Sequence, residues 1–287
     1  MNVAFIGLGV MGYPMAGYQQ KEGHNVCVYN RTLTKAQKWS EEYKGRYAET
    51  PAAASKGADV VMVCVGNDDD VRGVIYGEEG VLAGLSAGAM IVDHTTTSYE
   101  LAKELSEKCQ EKGVNFMDAP VSGGQAGAEN GVLAVMLGGS EEHLQYAKVA
   151  IEPYAKSITL MGPVGAGQAT KMVNQILIAG ILQGISEGFT LAQKADLDLP
   201  KVIDAISAGA AGSWQLSNRG LNIDKDIFDY GFAVDWMVKD LGFCLNAAKN
   251  LGIELPNTQF ASDRYKELQK KGYNRSDTSV LIKQYDK

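Results

Sequence analysis

Two periodicities divide this chain. In the first half, short and mostly apolar runs of strand length recur at Val3–Ile6, Val26–Tyr29, Val60–Val65, Met90–Val92 and Val114–Met117. Between them lie amphipathic segments of helical period: Met11–Lys21, Thr34–Tyr43, Pro51–Lys56 and Tyr99–Lys112. Strands this apolar, alternating with helices, predict a parallel sheet covered on both faces, joined by right-handed crossovers into a doubly wound α/β domain. A run at Leu133–Leu137, a helix over Glu141–Ile151 and a strand near Ile158–Met161 complete that half. After Gly162-Pro163-Val164-Gly165 the pattern becomes helical throughout. One long helix is predicted from Gln168 to about Lys194, followed by helices at Pro200–Ser207, Asp235–Asn250 and Gln259–Lys271, with Asp198 as a cap before Pro200. The expected organisation is a nucleotide-type domain over 1–163 and an all-α domain over 164–287 that begins with the long interdomain helix.

With 287 residues, 45% hydrophobic and 21% charged, the chain has the balance of a globular protein with a substantial core. Its net charge of −7 and lack of a basic run argue against a nucleic-acid partner. The cysteines (Cys27, Cys64, Cys109, Cys244) form no CxxC pair, and His24, His94 and His143 have no partner at ligand spacing. Neither a disulfide framework nor a metal site is expected. The apolar stretch Met172–Ile185 is interrupted by Asn174, Gln175 and Gln183 and reads as too short for a bilayer span. With no secretory signal pattern in MNVAFIGLGV, the expectation is a cytoplasmic enzyme without membrane partners.

Glycine is abundant, at 33 residues, and two groups stand out. Gly180, Gly184 and Gly188 recur every four residues along the long helix. Each costs about 1 kcal/mol of helix propensity, so close packing should compensate, against either a second subunit or a neighbour within the domain. The other group is Gly7-Leu8-Gly9-Val10-Met11-Gly12, a G-x-G-x-x-G placed after the first strand and opening the first helix. There the first glycine permits the turn, the second lets a pyrophosphate approach, and the third lets helix and strand pack closely.

The next strand ends at Asn30-Arg31-Thr32, where an NAD site normally presents a carboxylate to the ribose 2′-hydroxyl. A guanidinium at Arg31 suits a 2′-phosphate, so NADP preference is expected, with NAD acceptance following if Arg31 is only a solvated loop charge. Val65, ending the Val60–Val65 strand, and Thr96, after the Met90–Val92 strand, line the same crevice; the 95–98 segment equally offers a helix N-cap. Ser122-Gly123-Gly124, closing another strand, presents backbone N–H groups suited to a carboxylate. Lys171 and Asn174 share a face at the start of the long helix. A lysine in a first turn opposes the helix dipole, which is easier to understand if the ammonium has a task than if it is solvated surface.

GLGVMG, NRT, DAPVSGG, GAGQATKMVNQ and the late Lys239-Asp240-Leu241 occur in the order seen in the β-hydroxyacid dehydrogenase family, which the chain resembles over essentially its whole length. The resemblance implies a Rossmann domain, a helical C-terminal domain and a homodimer or homotetramer. It also implies a hydride transfer between NADP(H) and a short β-hydroxyacid or semialdehyde. By motif, Lys171 looks like the catalytic acid/base and Asn174 like the substrate-orienting amide. Ser122, Gly123 and Gly124 look like the substrate-carboxylate loop, Lys239 like a residue reaching the cofactor from the second domain, and Phe232 like the nicotinamide lining. Gln175 stands where many members have asparagine. Imine reductases share the layout but usually carry Asp or Tyr at the position of Lys171. A non-catalytic NADP-binding module is the other alternative.

Overall fold

The computed structural model describes residues 1–285. The chain divides into two compact units, Met1–Lys171 and the residues from Met172 onward. The first unit runs β1 (Asn2–Ile6), α1 (Gly12–Lys21), β2 (Asn25–Tyr29), α2 (Leu33–Tyr43), β3 (Arg46–Tyr47), α3 (Pro51–Ser55), β4 (Val60–Val63), α4 (Asp68–Ile75), α5 (Val81–Gly84), β5 (Met90–Asp93), α6 (Tyr99–Glu111), β6 (Asn115–Asp118), β7 (Val121–Ser122), α7 (Gly124–Glu129), β8 (Leu133–Gly138), α8 (Glu141–Ile151) and β9 (Ala155–Gly162). Helix α9 (Ala166–Lys194) begins in this unit and continues into the second.

Six strands lie in the order β3-β2-β1-β4-β5-β6, every neighbouring pair parallel. The chain winds outward from β1 in one direction and, from β4, in the other, which leaves a crevice beyond the carboxyl ends of β1 and β4. Side chains alternate between two dry layers. Val3, Phe5, Val28, Met62 and Val92 join Met15 and Trp39 on one face, and Ala4, Ile6, Val61, Val63 and Ile91 join Ile75, Leu101 and Leu105 on the other. Burial on both faces is why these strands read as continuous apolar runs.

The sheet then departs from the wholly parallel expectation. Strand β8 is antiparallel to β6 and to the short β7, while β9 pairs parallel with β8. The sequence also gave no warning of β3, β7, α4, α5, α7 or α11, all short or polar. Strand β4 stops at Val63, two residues early, because Val65 N–H turns to Thr95 Oγ1 at 3.0 Å.

The second unit continues α9 and adds α10 (Leu199–Ser207), α11 (Trp214–Asp224), α12 (Val234–Leu251) and α13 (Pro256–Lys270), with a 3-10 segment at Thr278–Tyr285. Ala179, Leu182, Phe189, Leu216, Met237, Leu241 and Tyr265 form its core. Asp198 caps α10 by accepting from Lys201 N–H, which puts Pro200 one place later than the first helical position. A buried bidentate pair, Arg219 to Asp277 at 2.8 Å, organises the loop before α12, since Asp277 also accepts from Phe232 N–H.

Helix α9 has 29 residues, longer than the apolar run suggested, and its most apolar window has a mean hydropathy of 1.3. By length and composition it could cross a membrane, a test that core helices of globular proteins also pass. The expectation of tight packing around its glycines within the domain is not met. Gly180, Gly184 and Gly188 have nothing within 4 Å of a would-be Cβ among the described residues.

Candidate functional site

The glycine loop between β1 and α1 gives each glycine a separate reason. Gly7 has φ +102°, and a Cβ there would fall 2.2 Å from the Cys64 carbonyl oxygen. A Cβ at Gly12 would fall 2.1 Å from the Gly7 carbonyl oxygen, so α1 and β1 can pack this closely only without one. A Cβ at Gly9 would meet nothing within 4 Å among the described residues and Val10 beside it is exposed, while Leu8 is buried. Helix α1 starts at Gly12; Met11 before it makes no capping side-chain hydrogen bond, and the first turn has no acidic residue. Its own first turn therefore brings no anion to the helix's positive end, which fits the pyrophosphate of a dinucleotide.

Asn30 braces that loop rather than standing open. Its Oδ1 accepts from Leu8 N–H at 2.9 Å, and its Nδ2 donates to the Thr32 carbonyl at 3.0 Å. Thr32 is the residue before α2 and is exposed. Arg31 is 88% exposed and lies 3.3 Å from Asp70, in the acidic first turn of α4 that Asn67 caps. Val65 and Thr96 are half-buried on neighbouring loops, and Ser98 is the cap of α6, accepting from Leu101 N–H.

Lys171 is only 8% exposed, and its Nζ donates to the Val121 carbonyl at 2.8 Å. Val121 precedes Ser122, which is half-buried, and Gly123 and Gly124, which are exposed and have φ +134° and +61°. The amine and the carboxylate-type loop are thus brought together at the carboxyl end of the sheet. Because α9 starts at Ala166 rather than Gln168, Lys171 sits in its second turn, where the dipole penalty has faded. Burial, not the dipole, is what makes this lysine unusual: an ammonium this enclosed needs partners.

In the second unit, Asn174 donates to Gln175 Oε1 at 2.7 Å, Gln175 donates to Asp240 Oδ2 at 2.6 Å, and Lys239 lies 3.2 Å from Asp240 Oδ1. Phe232 is half-buried against that unit's core. Gln175 and Asp240 were not singled out as site residues, although a Gln inside an apolar helical run signals a buried partner.

Two buried polar neighbours flank the sheet ends. Asp93 is pushed up to about 7 by burial, and His94 is pushed down to about 4 by burial, its ring hydrogen-bonded to the Ala119 carbonyl and the Tyr154 hydroxyl. No disulfide joins the four cysteines.

Comparisons with known proteins cover the whole length. Residues 2–162 match the family described as the NAD binding domain of 6-phosphogluconate dehydrogenase. Residues 165–285 match the NAD-binding family of NADP-dependent 3-hydroxyisobutyrate dehydrogenase. An uncharacterised oxidoreductase of Shewanella frigidimarina is 52% identical over 286 residues, covering 100% of this chain and 98% of the relative. A probable 3-hydroxyisobutyrate dehydrogenase-like protein of Arabidopsis thaliana is 40% identical, covering 98% of this chain and 84% of the relative. The solved structure of Mycobacterium tuberculosis 3-hydroxyisobutyrate dehydrogenase with L-serine has a TM-score of 0.90 at 30% identity, covering 100% of this chain and 99% of that one. Two matched halves, a glycine loop on a sheet of dinucleotide-binding order and a helical unit after it place this chain in the β-hydroxyacid dehydrogenase family of NAD(P)-binding oxidoreductases.

Proposed function

We propose that the protein interconverts a short β-hydroxyacid and its semialdehyde using NADP(H), with Lys171 as the general acid/base. The observation that carries this reading is the enclosed Lys171 amine, held to the carbonyl that precedes Ser122-Gly123-Gly124. A nicotinamide, when bound, supplies or accepts the hydride. The chain's own residues manage charge and orientation. In reduction the Lys171 ammonium stabilises the substrate oxygen as it gains charge and gives it a proton; in oxidation the amine takes that proton back. Ser122, Gly123 and Gly124 hold the substrate carboxylate through hydroxyl and backbone N–H donors. For Asn174, Phe232 and Lys239 the family resemblance alone supports the roles of orienting amide, nicotinamide lining and cofactor contact.

Gly7, Gly9 and Gly12 with the start of α1 hold the pyrophosphate, and Arg31 with Thr32 meets the 2′-phosphate. Arg31 supports NADP preference, and its pairing with Asp70 supports some tolerance of NAD, because the carboxylate competes with a phosphate for the guanidinium. A short carboxylate substrate is supported by the M. tuberculosis relative's complex with L-serine, itself a 3-hydroxy carboxylate. A homodimer or homotetramer is supported by the open glycines of α9 beside exposed Val173, Leu177 and Ile181. The four cysteines, unlinked by disulfides, support a reducing, cytoplasmic setting.

Turnover of glyoxylate and of succinic, methylmalonate and tartronate semialdehydes, each with NADPH and NADH, tests the reading. Lys171→Ala is expected to lose about 10²–10⁴ in kcat while still binding NADPH. A folded, NADPH-binding Lys171→Ala enzyme with full rate refutes the catalytic assignment.

A further inference from the structure

The Lys171 amine is placed by contacts that neither the glycine loop nor the carboxylate loop explains. Asp118, the last residue of β6, is fully buried, and its two oxygens point at the start of α9. Oδ1 accepts from Gly165 N–H at 2.7 Å and Oδ2 from Gln168 N–H at 2.8 Å. This is the work of an N-cap carboxylate, satisfying donors that a helix start leaves open, but delivered from a strand 47 residues away. Gln168 fastens the same turn to the β5 loop: its Nε2 donates to the Thr95 carbonyl at 2.7 Å and its Oε1 accepts from Thr97 N–H at 3.1 Å.

We propose that Asp118, assisted by Gln168, is the positioning residue for the Lys171 amine. The path is short on both sides. Two residues of helix, Ala169 and Thr170, separate Gln168 from Lys171, two residues, Ala119 and Pro120, separate Asp118 from Val121, and the Lys171–Val121 hydrogen bond closes the ring. The carboxylate has no room to turn elsewhere. A Cβ at Gly138 would fall 2.2 Å from Oδ1, and one at Gly167 would fall 2.8 Å from Oδ2. Burial pushes the Asp118 carboxyl above its ordinary range, while the N–H groups of Gly165 and Gln168 pull it back toward the charged form that accepts both bonds. The proposal rests on Lys171 being the acid/base, and its test separates the two ideas.

Asp118→Asn keeps the shape but turns one acceptor into an NH₂ group facing an N–H donor. Three readouts are taken on the full chain: NADPH binding, kcat on whichever panel aldehyde the enzyme turns over, and the acetylation rate of Lys171 by an N-hydroxysuccinimide ester, read by peptide mass spectrometry. Expected are unchanged NADPH binding, a kcat about ten- to a hundredfold lower, and faster Lys171 acetylation as the amine leaves Val121. Adding Asp118→Asn to Lys171→Ala should cost nothing further, because the two act as a unit. The proposal is overturned if Asp118→Asn leaves kcat and acetylation unchanged, or if it loses the same factor in the Lys171→Ala background. Should Asp118→Asn fail to fold, Gln168→Leu carries the same readouts, and unchanged Lys171 acetylation there overturns the proposal. Full activity in Lys171→Ala would sink the catalytic reading alone, since the acetylation ratio would still decide the positioning.

Discussion

A Cβ added at Gly7, Gly12 or Gly167 would fall 2.2, 2.1 or 2.4 Å from a backbone carbonyl oxygen, whereas one added at Gly180, Gly184 or Gly188 would meet nothing within 4 Å among the described residues. The first region is the carboxyl end of the sheet, where backbone meets backbone and buried polar groups answer one another. The second is one face of α9, open and flanked by exposed apolar side chains. Glycine is therefore obligatory in one place for reasons inside this chain. In the other, no close approach among the described residues requires it, and the proposed second copy packing against this face would supply the reason.

The largest effect should come from the crowded side. Between about pH 4 and 6.5 the unfolded chain protonates its histidine while folded His94 stays neutral, so His94 contributes stability that is present above pH 6.5 and lost as pH falls toward 4. Asp93 has the opposite sign. Its folded carboxyl keeps a proton up to about 7, so its contribution is present in acid and lost as pH rises through 7. The two slopes offset in the native protein. His94→Gln should leave stability falling from pH 4 to 7, and Asp93→Asn should leave it rising, each by roughly 3 kcal/mol across the window, read by urea melts at stepped pH. A flat profile in both variants would mean these groups are not held as described.

Gly12→Ala should cost about 1–3 kcal/mol by overpacking and weaken NADPH binding, checked by thermal melts and fluorescence titration. A stable, tightly binding Gly12→Ala protein would erase the contrast between the two glycine sets. At the crevice rim, Arg31→Ala should raise the KM for NADPH about tenfold and leave NADH nearly unchanged, since a charge-assisted contact is worth about 1.5–3 kcal/mol. Asp70→Asn, freeing the exposed guanidinium, should shift the NADPH/NADH ratio of kcat/KM upward by about two- to fivefold, the range of an exposed ion pair. The smallest effect belongs to the open helix face. Gly184→Ala should fold and gain at most about 1 kcal/mol from helix propensity. Gly184→Leu should lower the oligomer's mass in light scattering if a second backbone packs there.

Much of the first unit was legible because buried strands and amphipathic helices impose their periods directly on the residues, and the glycine loop carries its own spacing. Helix ends were legible where a local side chain caps them, as at Asp198 and Ser98. The start of α9 was misplaced by two residues because its cap, Asp118, comes from a distant strand and leaves no local signature. The same holds for Asn30, which reads as a cofactor contact yet spends both ends of its amide on bracing the loop. Gln168 lay in a quoted motif, but nothing in its spacing announces a bond to residues more than seventy positions earlier.

Local periodicity and turn chemistry, written into consecutive residues, were enough to specify an alternating α/β half, a helical half, and a phosphate loop at the first strand's end. The antiparallel turn of β8, the burial of Lys171 against Val121, and the clasp of Asp118 and Gln168 were decided by tertiary structure alone. Each depends on hydrogen bonds or packing between segments far apart in the chain, and no short-range pattern encodes a partner that folding has yet to bring near.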